Sequence, residues 1–295
     1  MEERQAVPLN PYGAPSARVE DIERSPENQQ FVPGGRRVPA LNGAQWIVEG
    51  LRIYVRHPAA WTLMVLCTAL ITLFINLVPI IGIFAGIPIQ MLLLGGLILA
   101  LHRVASGERL QFSWLFAGFS TRPGALVLLS LVSFGIMAGA GLLTAIFLPA
   151  GRDYVLRGGS SIGPVLLVLL VGLLFAVLYV ALMIYAVPLV VVSREPVGRA
   201  LGTSFSASFR NTLPLTVYSL IVLGVFLVVI MVLGFAGGSA AVALMGRAFT
   251  GGGSFSQLVA AFGVMLLIGV VFYAVVVPPI LASYYASFRD IFYSG

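Results

Sequence analysis

The sequence predicts an all-α polytopic membrane protein, with six transmembrane helices and three interfacial amphipathic helices. Three observations predict it. The 295 residues are 59% hydrophobic and only 9% charged, where soluble domains are about 25% charged. Five long stretches, 58–101, 123–151, 158–193, 211–246 and 248–288, hold no Asp, Glu, Arg, Lys or His. Runs such as VLLVLLVGLLFAVLYVALMIYAV do not alternate as the strands of a β-barrel would. A spanning helix needs about 20 apolar residues. The first stretch is therefore long enough for two helices and each of the others for one. The spans fall near 60–77, 80–101, 124–148, 164–192, 213–236 and 257–283.

Residues 1–40 come first and are of another kind. They hold six Pro, six acidic residues and five Arg. Such a segment buries too little apolar surface to offset its conformational entropy. It is expected to be a disordered, Pro-rich cytoplasmic tail, with residues 41–295 forming the six-helix transmembrane domain. The tail shows no apolar stretch leading to a small-residue cleavage site, so the first span is expected to act as an uncleaved insertion signal.

The domain has a threefold pattern of a surface helix, then a proline, then a hairpin of two spans. In the first surface helix, 45–57, Glu49, Arg52 and Arg56 form one polar stripe, and Trp46, Ile47, Leu51, Tyr54 and Val55 cover the other face. In the second, 110–122, Phe112, Leu115, Phe116 and Phe119 recur at helical spacing. In the third, 197–211, Val197, Leu201, Phe205 and Phe209 lie opposite Arg199, Thr203, Ser206 and Arg210. This is the periodicity of helices lying in the membrane interface. Pro58, Pro123 and Pro214 are expected to start spans one, three and five, since proline suits the first turn of a helix. Pro88, Pro188 and Pro278–Pro279 lie inside even-numbered spans, where kinks are expected because proline frees a backbone carbonyl. The pairs Gly82/Gly86, Gly135/Gly139 and Gly234/Gly238 have the spacing that lets helices approach closely.

Arginine distribution sets the orientation. Nine Arg (52, 56, 103, 109, 122, 194, 199, 210, 289) flank the spans on the side of the tail, against three (152, 157, 247) on the other. Basic residues accumulate in cytoplasmic loops, so both termini are expected in the cytoplasm. The same bias accounts for the net charge of +6 without nucleic acid as a partner.

The opening GAQWIVEGLRIYVRHP, the turn VPIIG, the segment YAVPLVVVSREPVGRALGTSFSASFRNTLPLTVY and the stretch YYASFRDIF together carry a resemblance. Over about residues 41–295 the chain resembles a family of uncharacterised six-span bacterial inner-membrane proteins. More distantly it is similar to the membrane domain attached to some glycerophosphodiester phosphodiesterases. The resemblance implies a fold and a bacterial inner-membrane location. It brings no activity with it, because the catalytic domain of those phosphodiesterases has no counterpart here.

The chemistry-bearing residues are sparse. The chain contains no lysine and one cysteine, Cys67. His57 and His102 have no ligand spacing with it. No catalytic, metal or cofactor site is expected, and the protein is read as non-enzymatic. Four rim arginines, Arg56, Arg122, Arg210 and Arg289, each near aromatic residues, are the candidate lipid-headgroup contacts; topology and snorkelling are the plainer account. Asn76, Gln90, Tyr179 and Tyr185 are the candidate mid-membrane polar positions, either ties between helices or the lining of a path. The expected function is that of a membrane scaffold or assembly partner binding anionic lipids. Its partners are membrane lipids and membrane proteins; homo-oligomerisation finds no support in the sequence. The alternative is a carrier or flippase for a lipidic or small uncharged substrate. Ala-Ser-Phe-Arg occurs twice, at 207–210 and 286–289, and is read as an aromatic anchor beside a cytoplasmic arginine.

Overall fold

The computed structural model describes residues 30–156, 163–238, 242–243, 245–247 and 254–294. Most of the expected tail, residues 1–29, lies outside that set. Six helices are long and apolar enough to cross a membrane, and the protein is a multi-pass helical membrane protein. Helix α1 (Asn42–Arg56) turns into α2 (Pro58–Asn76), which returns as α3 (Pro79–Ala105). A 3-10 turn (Phe112–Phe116) and α4 (Gly118–Thr121) lead to α5 (Pro123–Leu156) and α6 (Gly163–Met183). Then follow α7 (Ala186–Val191), α8 (Val197–Arg210), α9 (Thr212–Leu233) and α10 (Phe255–Phe292). Two short strands, β1 (Gln30–Phe31) and β2 (Tyr293–Ser294), pair antiparallel.

Proline sets the elbows. His57, before Pro58, has φ −145° and ψ 57°; Arg122, before Pro123, has φ −149° and ψ 57°. The pyrrolidine ring crowds the preceding residue out of the helical region. The surface segment must therefore end there, and the proline begins the next helix without losing a hydrogen bond. Asn211 (φ −113°, ψ 30°) makes the third elbow, with Pro214 in the first turn of α9.

The second expected surface helix, 110–122, is corrected by the structure to a 3-10 turn and one α turn. Its backbone is pressed against α3. A Cβ on Gly118 would overlap the Leu92 carbonyl, and one on Gly96 would overlap the carbonyl of Leu115. Trp114 and Leu115 are buried there, leaving Phe112, Phe116 and Phe119 exposed.

The fourth expected span, 164–192, is also interrupted, at Ile184–Tyr185 between α6 and α7. The broken helix is patched from outside. Ser204 of α8 accepts from the Tyr185 N–H at 3.0 Å and donates to the Ala181 carbonyl at 3.0 Å, standing between the two groups a helix would have joined. Pro188 has no N–H for the Ile184 carbonyl, and the Tyr284 hydroxyl of α10 donates to that oxygen instead. The helix runs uninterrupted through Pro88 and through Pro278–Pro279. At Pro278 the carbonyl without a helical partner is that of Ala274, which Thr62 of α2 reaches at 3.5 Å.

The packing is uneven. Of the span in α3, 61% is buried, against 6% for α9, so α3 is central and α9 peripheral. The core joins α3, α7 and the last third of α10, where Tyr285, Ala286, Phe288, Ile291 and Phe292 are almost wholly enclosed. Helix α1 lies along that third. Gly50 faces the backbone of Ser283 and Gly43 the carbonyl of Pro214, both too close for a side chain. Among the expected small-residue pairs, Gly82 does lie close against the Asn76 backbone of α2, whereas Gly135, Gly234 and Gly238 meet nothing within van der Waals reach. The closest approaches are instead at Gly43, Gly50, Gly96 and Gly118.

Residues 30–40, expected in the tail, pack as a strap across the end of the bundle that carries α1 and α8, called here the charged end. The Val32 N–H donates to Phe292 O at 2.8 Å and the Arg36 N–H to Ile291 O at 2.8 Å. Between them Gly35 adopts φ +71°, where a side chain would strain the backbone and touch Ile291 and Phe292.

Candidate functional site

At the charged end, one carboxylate organises three partners. Asp290 of α10 accepts from Arg36 Nη2 at 2.6 Å, Asn42 Nδ2 at 2.7 Å and Trp46 Nε1 at 2.9 Å. This ties strap, α1 and α10 together with charge-assisted bonds. Asn211 does the same for the elbow between α8 and α9. Its Oδ1 accepts from the Val38 N–H at 2.9 Å, and its Nδ2 donates to Arg36 O and Ala207 O, each at 3.0 Å. Neither residue stood out in the sequence. The Asn-Pro spacing at 211–214 was the available signal for an elbow, and Asp290 is a lone acid directly after Arg289, which closes the charge-free run 248–288.

The four rim arginines do not share one role. Arg122 donates to the carbonyls of Glu195 (2.8 Å) and Val190 (3.3 Å), satisfying groups left open where α7 ends. Arg289 stands 3.7 Å from the carboxylate of Glu49. Arg210 donates through Nη2 to Gly34 O at 2.9 Å and to Ser206 Oγ at 3.4 Å. Its Nε and Nη1 have no partner among the described residues. Arg56 ends α1 exposed and likewise without one. The two Ala-Ser-Phe-Arg copies also differ: Phe209 is exposed, whereas Phe288 is in the core.

The four mid-membrane polar positions are not brought together. Asn76 ends α2 at the opposite end from the strap and donates to its own helix at Thr72 O, 2.7 Å away. Gln90 is exposed on α3. The Tyr179 hydroxyl accepts from Ser133 Oγ at 3.1 Å, joining α6 to α5. Tyr185 is fully buried at the helix break, and its hydroxyl donates to Ser287 at 3.3 Å. His102 Nδ1 lies 2.9 Å from the Tyr285 hydroxyl. Among the described residues no three His, Cys, Asp or Glu side chains gather as a metal-ligand set.

A groove of about 460 Å³ opens sideways between α6 and α9. Val177 and Ala181 line one wall, Thr216, Leu220 and Leu223 the other, and Phe209 of α8 lies across one end. Its hydroxyls, apart from that of Ser219, are turned to the backbone. Ser208 donates to Ala181 O at 3.3 Å, Thr212 to Phe209 O at 2.9 Å and Thr216 to Thr212 O at 2.8 Å. What remains facing the groove is mainly hydrocarbon. None of Asn76, Gln90, Tyr179 and Tyr185 lines it. Compared with protein-family models, curated proteins and solved structures, the chain matches none.

Proposed function

We propose that the protein is a non-enzymatic scaffold or assembly partner of the bacterial inner membrane, with its charged end in the cytoplasm and anionic lipids among its ligands. α1 and α8 then lie in the cytoplasmic interface, where the arginine bias places them. The observation that carries this reading is the contrast in packing. The charged end is locked by Asp290, Asn211 and the strap, while α6 and α9 project from it with 11% and 6% of their spans buried. A rigid frame that holds two open helix faces apart suits the docking of another membrane helix. Contacts between such helices are made by van der Waals packing rather than by hydrophobic exclusion from water.

The polar residues support a scaffold over a carrier. Tyr185, Tyr218 and Tyr284 each bond across helices, to Ser287, Ser283 and the Ile184 carbonyl. They act as ties, and the spans bring no ionisable group to mid-membrane depth. A photo-crosslinking residue at Leu227 or Met231 of α9, both exposed and outside the groove, activated in native membranes, is expected to give adducts of discrete protein mass. Adducts to lipid alone at both positions would overturn the scaffold reading, and lipid translocation by the purified protein in vesicles would favour the carrier.

A further inference from the structure

The groove between α6 and α9 has a length, a depth and arginines beside one end that together specify an occupant. It begins at the elbow, where Phe209 and Thr212 line it, and reaches Leu223. Eleven residues of helix rise about 16 Å. That is close to half of the roughly 30 Å hydrocarbon core, so the groove serves one leaflet, the one at the charged end. Three of its wall hydroxyls are spent on backbone carbonyls and only that of Ser219 is left over, so the trough is mainly apolar and suited to an acyl chain.

No charged residue lines the groove itself, but two arginines lie beside its elbow end. Arg210 directly follows Phe209 and keeps Nε and Nη1 without partners among the described residues. Arg37 comes to the same corner on the strap. It is exposed, and the backbone on either side of it is fixed by Asn211, through Arg36 O and the Val38 N–H. The corner's carboxylate, Asp290, is already engaged by Arg36. Two arginines at headgroup depth above an apolar trough one leaflet long make a complementary surface for a phosphodiester carrying a hydrocarbon chain.

We infer that this groove takes an acyl chain of an anionic phospholipid from the charged-end leaflet, with Arg37 and Arg210 holding its phosphate. The inference rests on the scaffold reading and names its lipid ligand. The test is native mass spectrometry of the purified full chain in detergent with equal amounts of phosphatidylglycerol and phosphatidylcholine. The wild type is expected to retain phosphatidylglycerol preferentially. A basic residue near a charged surface contributes about 1 kcal/mol, so Arg37→Gln and Arg210→Gln should each cut that preference about fivefold. Ser219→Trp and Val177→Phe, at exposed groove positions outside the core, should abolish retention of both lipids while circular dichroism stays unchanged. Unaltered retention in both filling variants would overturn the groove as the site. An unaltered headgroup preference in the double glutamine variant would overturn the role of the arginines. The scaffold reading fails separately, on the absence of protein adducts to α9 in native membranes.

Discussion

Ser204 shows how much one buried hydroxyl can hold. It is fully enclosed and occupies the gap between the Tyr185 N–H and the Ala181 carbonyl. In hydrocarbon no water replaces a lost partner, so the helix break is stable only while Ser204 is present. Ser204→Ala leaves the Tyr185 N–H unpaired, at a cost of about 1–3 kcal/mol. It is expected to lower the thermal unfolding midpoint in detergent, and Ser204→Thr, which keeps the hydroxyl, to recover most of the loss. Tyr284 acts beside it on the carbonyl freed by Pro188. A proline in a span is thus answered by a side chain from a neighbouring helix, and the answering residue is a serine or tyrosine that composition alone marks as ordinary.

At the scale of elements, the strap is the most testable piece. Its attachment depends on Asp290, which faces three donors. Asp290→Asn would set an amide donor against them. Hydrogen bonds to charged groups are worth about 1.5–3 kcal/mol, and an opening population ten times larger follows from about 1.4 kcal/mol. Trypsin is therefore expected to cut after Arg36 or Arg37 at least roughly tenfold faster in the variant, since cleavage tracks the open population when opening is fast. The elements divide by how local their causes are. The spans and the proline elbows were legible because each follows from a continuous run or from a proline and its neighbour. The broken segment at 112–121 was not, because Phe112, Leu115, Phe116 and Phe119 fit a helix and only contact with Gly96 of α3 shows otherwise. The strap was read as tail for the same reason: Arg36 finds its carboxylate 254 residues away. Position alone groups the four rim arginines, but Arg122 and Arg289 have protein partners that no local pattern displays.

At the scale of the whole molecule, the proposed orientation makes a direct prediction. With Cys67 replaced by Ala, a cysteine at Ser254 should react with an impermeant thiol reagent in intact cells, and one at Ser106 only after the membrane is opened. Both positions are exposed, at opposite ends of the bundle, and the reverse pattern would refute the orientation. The threefold arrangement of hairpins is held at one end by the last third of α10. That has a consequence for biosynthesis. Spans leave the ribosome in order, and the residues that fill the core, Tyr285 to Phe292, emerge after every other helix described. Until then Gly50 of α1 lacks the Ser283 backbone it fits, and the Ile184 carbonyl lacks Tyr284. Hairpins already in the bilayer can meet one another, but α1 and the strap are seated only when this later segment reaches them.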